Sequence, residues 1–320
     1  MADLAQALQS ALDALAAEAD ERQLMRDARA ISEAYRERTG TGERLLTRPG
    51  EAAAYALSRM PATVAAVRAA LLQALRASGK TPRTLLDCGA GTGAASWAAD
   101  ALLPLERATC LEREEAMQAV GKRLMRAGSE ALRGAQWRAW DALEPSPLPK
   151  AELVIEGYML GELPQAAREA VAVRLWEAAQ ELLLLVEPGT PQGFANLAAA
   201  REALVPRGAH VAAPCPQGMI ACPMRGDDWC HFAVRVQRTR LHRQLKGGEA
   251  PFEDEKFAYL ALTRQAAAAP CEARVLRHPQ IAPGRIALTL CERGERRERV
   301  VTKKDPLWKR ARKMEMGDAL

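Results

Sequence analysis

Through the first eighty residues, apolar positions recur every third and fourth place against a background of Ala, Leu, Glu, Gln and Arg. That period predicts amphipathic helices. Arg48-Pro49-Gly50 and Met60-Pro61 punctuate the run, and 62–78 reads as a helix that stops near Gly79. From Thr84 the pattern changes to short apolar runs separated by helical periods. Strands are predicted over 84–88, 108–112, 136–140, 153–156 and 182–186, with helices over 94–103, 114–126, 164–180 and 193–204. Strands this apolar are buried on both faces, and alternation with helices predicts a parallel, doubly wound α/β sheet. The last third differs. Strand-like stretches at 232–236, 256–263, 274–276, 286–290 and 300–302 are followed by a basic helix over 306–313. They are expected to complete the sheet in antiparallel fashion and to form an appended subdomain. The chain thus divides into an N-terminal helical region (1–80), an α/β core (81–207) and a C-terminal part (208–320).

At 320 residues, 48% of them hydrophobic, the chain holds one large α/β domain with a helical extension, or two domains. It has no run of eighteen apolar residues and no charged-then-apolar leader at Met1, so no membrane or secretory role is expected. A cytoplasmic setting follows, in which seven cysteines are expected to be thiols or metal ligands rather than disulfides. The net charge of +5 hides an asymmetry. Residues 231–248 carry +5 (Arg235, Arg238, Arg240, Arg243, Lys246) and residues 293–313 carry +7, leaving −7 on the rest. Positive charge gathered on two stretches suggests a polyanion, most simply nucleic acid; the alternative is a solvated charged face.

Asp87-Cys88-Gly89-Ala90-Gly91-Thr92-Gly93 follows a predicted buried strand and opens a helix. Glycines let the backbone turn sharply and approach a ligand at the C-terminal end of a parallel strand. No Gly-Lys-Ser/Thr follows, which excludes a P-loop. The spacing is G-x-G-x-G, and Glu112 ends the next strand, placed to accept hydrogen bonds from ribose hydroxyls. The arrangement resembles the class I S-adenosylmethionine-dependent methyltransferases. The resemblance implies a Rossmann-like methyltransferase sheet, with Asp87, Gly89, Gly91, Gly93 and Glu112 as cofactor contacts and Asp141 on the adenine side. Cys88 and Cys110 lie on apolar strands and read as small buried hydrophobes.

After the fourth strand the chain reads Glu156-Gly157-Tyr158-Met159, without the Asn/Asp-Pro-Pro-Tyr/Phe of amine methylation. No cysteine lies on the loops after strands four or five, so cytosine C5 chemistry lacks its nucleophile. Glu156, Tyr158 and Glu162 are candidates for lining an acceptor pocket.

Cys215, Cys222 and Cys230 fall within sixteen residues, separated by irregular spacers rich in Pro and Gly. A loop that gathers thiols without apolar bulk is one a metal can hold together. Cys271 and Cys291 are possible fourth members, and Cys291 is the better placed, directly after a predicted strand. Cys-x2-Cys pairs typical of zinc are absent, so four thiolates fit an iron-sulfur cluster at least as well. In a zinc site His231 is able to replace one thiolate.

Ala54-Tyr55, Arg59-Met-Pro-Ala-Thr63, Gly189-Thr-Pro-Gln-Gly-Phe194, Gly208-Ala-His-Val211, Pro214-Cys-Pro216, Asp228-Trp-Cys-His-Phe232 and Glu253-Asp-Glu-Lys-Phe-Ala-Tyr259 together resemble one family. It is the methyltransferase-like family associated with the mitochondrial small ribosomal subunit, with its bacterial relatives. The resemblance runs from about residue 50 to the C-terminus. It implies a [4Fe-4S] cluster on Cys215, Cys222, Cys230 and Cys291 and a role in small-subunit maturation. Gln217 departs from the His expected after Cys-Pro. Some members of the family act by binding ribosomal RNA rather than methylating it. The first expectation is therefore an S-adenosylmethionine-binding assembly factor, monomeric off the ribosome. Arg235, Arg238, Arg240, Arg243, Lys246, Lys309, Arg310, Arg312 and Lys313 would contact RNA phosphates. The alternatives are an active RNA methyltransferase with Glu156 and Tyr158 at the acceptor base, and a small-molecule methyltransferase with structural zinc.

Overall fold

In the computed structural model, which describes residues 2–38, 40–216, 222–224 and 228–320, four helices come first: α1 (Ala2–Ala17), α2 (Glu21–Arg38), α3 (Pro49–Ser58) and α4 (Met60–Ser78). Gly79 ends α4 in the left-handed conformation, at φ 66°, which glycine adopts without steric cost. There follow β1 (Thr84–Cys88), α5 (Ala94–Asp100), β2 (Arg107–Glu112), α6 (Glu115–Met125), α7 (Glu130–Arg133) and β3 (Gln136–Ala139). Then come β4 (Ala151–Gly157), α8 (Gln165–Ala178), β5 (Ala179–Pro188) and α9 (Pro191–Leu204). Strands β1 to β5 pair in parallel in the spatial order β3-β2-β1-β4-β5. The doubly wound α/β class expected from the sequence is the one observed.

Alternation within the strands explains the two layers. Leu153 and Ile155 of β4, with Leu182, Leu184 and Val186 of β5, pack under Ala66, Val67, Ala70, Leu71 and Ala74 of α4. Val154, Leu183 and Leu185 turn to the other face, under Leu175 and Trp176 of α8 and Leu197 and Leu204 of α9. The alanine stripe of α4 brings that helix close to the sheet. Each fully buried leucine contributes about 1.5–3 kcal/mol.

The C-terminal third adds β6 (His210–Ala213), β7 (Phe232–Gln237), α10 (Arg240–Lys246) and β8 (Phe252–Thr263). It continues with β9 (Ala273–Val275), β10 (Gln280–Ala282), β11 (Arg285–Glu292), β12 (Glu295–Thr302) and α11 (Trp308–Ala311). β8 lies antiparallel to β5 over Phe257–Thr263. Its other edge carries two strands in succession: β6, with His210 opposite Thr263, and β7, with Phe232 opposite Phe257. The cysteine segment is thus an excursion from a single sheet edge, leaving after β6 and returning at β7. Strands β9 to β12 form a second sheet around Val275, Ile286, Leu288, Leu290 and Val301. The expected C-terminal strands therefore split between completing the first sheet and building another. The basic helix expected over 306–313 is the single turn α11, capped beneath by Ala311 and Met314 in the second core.

Candidate functional site

The glycine loop between β1 and α5 has three glycines with positive φ, at 69°, 56° and 87° for Gly89, Gly91 and Gly93. A side chain at Gly93 would meet Met125 Cε at 2.4 Å, so no other residue fits there without displacement. Gly89 and Gly91 line a cavity of about 100 Å³ with Glu112, Asp141, Met117, Trp140, Tyr158 and Met159. Gly42, Glu43, Leu45 and Leu46 of the strap before α3 line it too, together with Tyr35. Arg113 secures the strap by donating to the carbonyls of Gly42 and Glu43, each at 3.0 Å. Gly93 and Asp87 do not reach the cavity wall. Asp87 is buried beneath the loop and accepts from the Ser96 amide and hydroxyl at 3.0 and 2.7 Å. Burial pushes its carboxyl up to about 6 against the pull of those hydrogen bonds.

The other acids at this end of the sheet are likewise turned onto the chain itself. Glu112 accepts from the Gly91 amide at 2.7 Å and the Glu114 amide at 2.8 Å, and burial raises its pKa. Glu156, wholly buried, accepts from the Met159 and Leu160 amides at 2.6 and 3.0 Å. Burial and the neighbouring Glu187 push Glu156 well above the carboxylate range. Glu187 accepts from Asn196 at 2.7 Å and the Gly161 amide at 3.3 Å. Asp141 accepts from the Leu143 amide at 2.9 Å. Tyr158, at φ 65°, donates its hydroxyl to Glu255 at 3.0 Å. Glu187 was not singled out in the sequence, although an acid ending the apolar run of β5 was the available signal.

The cysteines meet elsewhere. Cys215, Cys222, Cys230 and Cys291 line one cavity of about 450 Å³, with Phe194 and Leu197 of α9, Leu260 of β8, Met224, Leu276 and Arg274. Cys222 and Cys230 pack against Cys291 and Met224. Burial pushes Cys215 up to about 12 and Cys291 up to about 11, as expected of neutral thiols in apolar surroundings. Cys271 lines a different cavity, with Gln73 and Met314. His231 stacks on Trp229 at 5.3 Å rather than lining the thiol cavity. Trp229 donates to the Gly189 carbonyl at 3.0 Å, and Asp228 pairs with Arg277 and Arg296, so the returning arm is fastened to both sheets. Among the described residues, no group of three His, Cys, Asp or Glu is arranged to hold a metal ion. Gln217 lies outside the described residues. Arg274 went unnoticed in the sequence, where a lone arginine in Ala273-Arg-Val-Leu276 was the signal.

The basic residues divide by what they face. Arg238 Nη2 and Lys246 Nζ reach Glu253 at 2.5 and 2.7 Å, and His242 Nε2 lies 3.4 Å from the same carboxylate. Arg235 pairs with Asp254 at 2.8 Å and lies over the Phe252 ring at 4.0 Å. The register of β7 on β8 explains this, since it sets Arg235 opposite Asp254 and Val236 opposite Glu253. Arg240, Lys309, Arg310, Arg312 and Lys313 are exposed, and Arg243 is half-buried.

Residues 49–320 match the family described as Rsm22, mitochondrial small ribosomal subunit Rsm22. The human ribosome assembly protein METTL17, mitochondrial, is 30% identical over 253 residues, covering 73% of this chain and 54% of that protein. The chain thus spans about half the length of the curated relative it matches. Distant likenesses in solved structures include magnesium protoporphyrin IX methyltransferase from Synechocystis PCC 6803, at 13% identity and TM-score 0.41, covering 75% of this chain and 97% of that one. Precorrin-6y C5,15-methyltransferase from Geobacter metallireducens has 20% identity and TM-score 0.40, covering 62% and 86%. The cytoplasmic setting expected from the sequence is corrected here, because both the family and the human relative are described as mitochondrial. With 272 of its 320 residues matched, the chain belongs to the Rsm22 family of the mitochondrial small ribosomal subunit.

Proposed function

We propose that the chain is an S-adenosylmethionine-binding assembly factor of the small ribosomal subunit that holds ribosomal RNA and carries a structural [4Fe-4S] cluster. The observation that carries binding over catalysis is the direction of the acids. Asp87, Glu112, Glu156, Glu187 and Asp141 all accept hydrogen bonds from the chain's own backbone or side chains. They fix the loops of a cofactor site, and Glu162, which also lines the cavity, is engaged by Tyr35. The human relative's description as a ribosome assembly protein supports the same reading.

In this proposal the methyl donor lies on the Gly89 and Gly91 backbone, its ribose on Glu112, its adenine between Met117 and Trp140. Ligand pockets usually measure about 300–1,000 Å³, so a cavity of about 100 Å³ has to enlarge. The movable parts are Met159, whose sulfur lies 2.7 Å from where a Gly89 Cβ would be, and the strap. The cluster would sit among Cys215, Cys222, Cys230 and Cys291 and cross-link the excursion to the second sheet. The four thiols share one cavity of about 450 Å³, which leaves room for a centre between them. The RNA contacts proposed are Arg240, Arg243, Lys309, Arg310, Arg312 and Lys313.

Anaerobic purification tests the centre: about four irons per chain, lost in Cys222→Ser and Cys291→Ser and kept in Cys271→Ser. A colourless, zinc-loaded protein refutes the cluster. Binding to small-subunit RNA is expected to weaken steeply with salt, and salt-insensitive binding refutes the RNA reading. A second reading, active RNA methylation, is favoured by Tyr158, which lines the cofactor cavity. Ribosomal RNA methylation lost in both a deletion strain and a Glu112→Ala strain would establish it.

A further inference from the structure

Arg274 is the least expected charge in the molecule. It lies on β9 with 2% of its surface exposed, among the largest fully buried side chains. Its Nε donates to the Pro214 carbonyl at 2.8 Å, and Nη1 to Gln73 Oε1 and the Gly317 carbonyl, each at 2.9 Å. Nη2 lies 3.4 Å from Cys271 Sγ. All four partners are formally neutral. Among the described residues it forms no ion pair, whereas Arg238, Arg277 and Arg296 each have a carboxylate. A buried cation without a counter-charge is costly, and hydrogen bonds to neutral groups offset only part of that cost. Arg274 also lines the cavity of Cys215, Cys222, Cys230 and Cys291.

We propose that Arg274 is the built-in counter-charge of the four-thiol centre and the residue that positions its first arm; the inference rests on the metal-centre reading above. Metal ligation needs thiolates, and four thiolates around a [4Fe-4S] core leave the centre net negative. A fixed guanidinium beside it offsets part of that charge. The same fork holds the Pro214 carbonyl, one residue before Cys215, and ties it to α4 and the C-terminal segment. Burial of the cation and of the anionic centre are then coupled: each lowers the cost of the other. Arg274 acts through charge and placement and is not itself a ligand.

The test compares Arg274→Gln and Arg274→Lys in two backgrounds of the full chain, wild type and the metal-free Cys222→Ser. Iron per chain, the reduction potential of the bound centre and the melting temperature are read anaerobically. With metal, R274Q is expected to lose at least half its iron, to shift the potential negative and to lower the melting temperature. In Cys222→Ser the same change is expected to leave the melting temperature unchanged or raise it, because it removes an unpaired charge. R274K keeps the charge without the fork, so it should hold the wild-type potential while losing iron faster to a chelator. Equal melting losses in both backgrounds with an unchanged potential would mean a purely structural tie and overturn the inference alone. Should R274Q not accumulate, a wild-type iron content and chelator resistance in R274K would overturn it equally. A wild-type chain without bound metal overturns the metal-centre reading and this inference with it.

Discussion

Replacing Glu253 by Gln should destabilise the protein while leaving the proposed contact with RNA intact or stronger. The carboxylate of Glu253, 12% exposed, gathers Arg238, Lys246 and His242 and so fastens α10 to β8. Burial by itself would raise its pKa; the hydrogen bonds from Lys246 and Arg238, with His242 close by, outweigh that and hold it well below the carboxylate range. Removing one partner of a buried ion group costs about 3–5 kcal/mol. Arg238 and Lys246 retain 15% and 17% exposure, so the lower end, about 3 kcal/mol, is expected. At about 2 cal/mol/K per residue of unfolding entropy, a 320-residue chain melting cooperatively loses about 4–5 °C. The pH dependence has a definite sign. A depressed folded pKa stabilises above the unfolded value, near 4.3, and the contribution disappears as pH falls through the folded value. The gap between wild type and E253Q should therefore be full at pH 7 and narrow below about pH 4.5. Scanning calorimetry at several pH values measures it, with RNA binding followed at fixed salt. Arg238→Gln and Lys246→Gln should reproduce the melting loss with little change in RNA affinity. A tenfold loss of RNA affinity in either, at unchanged melting temperature, would refute the assignment of both residues to an internal tie.

Glu112→Ala should weaken S-adenosylmethionine binding roughly 100-fold by calorimetry, from two charge-assisted hydrogen bonds of about 1.5 kcal/mol each. Met159→Ala should tighten it several-fold by clearing the site over Gly89. Glu162 is pushed up to about 7 by burial, so it is protonated in the fold where the unfolded chain would ionise. That contribution is full below about pH 4.3 and is lost as pH rises to about 7; Glu162→Gln should flatten the melting profile over that interval. Paired reversals, Lys309→Glu with Lys313→Glu, should lower both RNA affinity and its salt slope without moving the melting temperature. Gly193→Ala places a Cβ 2.1 Å from the Pro188 carbonyl oxygen, and a cost of about 3 kcal/mol is expected, read as lost melting temperature together with lower iron content and weaker cofactor binding.

The βα units were legible because each strand and helix states its period within a dozen residues. The glycine turn after β1 was legible for the same reason, as was Glu112 at the end of β2, and Gly89, Gly91 and Glu112 line one cavity. Pairing across long separations was not. His210–Ala213 is too short to announce a strand, yet it and β7 share one edge of β8. The basic stretch at 231–248 looked unopposed because its acids, Glu253 and Asp254, come just after it in sequence and face it only through the β7–β8 register. The choice of Cys291 over Cys271 was legible from the strand that leads to it; what brings it to the other three thiols is the second sheet. There β11 carries Cys291 toward Met224, while Cys271 turns to Gln73.

The two cavities share α9. Its first turn is capped by Thr190, whose hydroxyl accepts from the Gly193 amide at 3.1 Å, and Gly193 packs against the Pro188 carbonyl with no room for a side chain. From this anchored start, Asn196 reaches back to Glu187 at 2.7 Å and so holds the loop after β4, through the Gly161 amide, at the cofactor cavity. Phe194, Leu197 and Arg201 on the same helix line the thiol cavity. Trp229, on the returning arm of the cysteine excursion, bonds the Gly189 carbonyl just before it. A change in the thiol loop therefore bears on the helix that sets Glu187, and a ligand over Gly89 bears on the helix that walls the thiols. Neither cavity is independent of α9, which is why one added methyl at Gly193 is expected to disturb both at once, whereas substitution of Cys222 or Glu112 acts first on its own side.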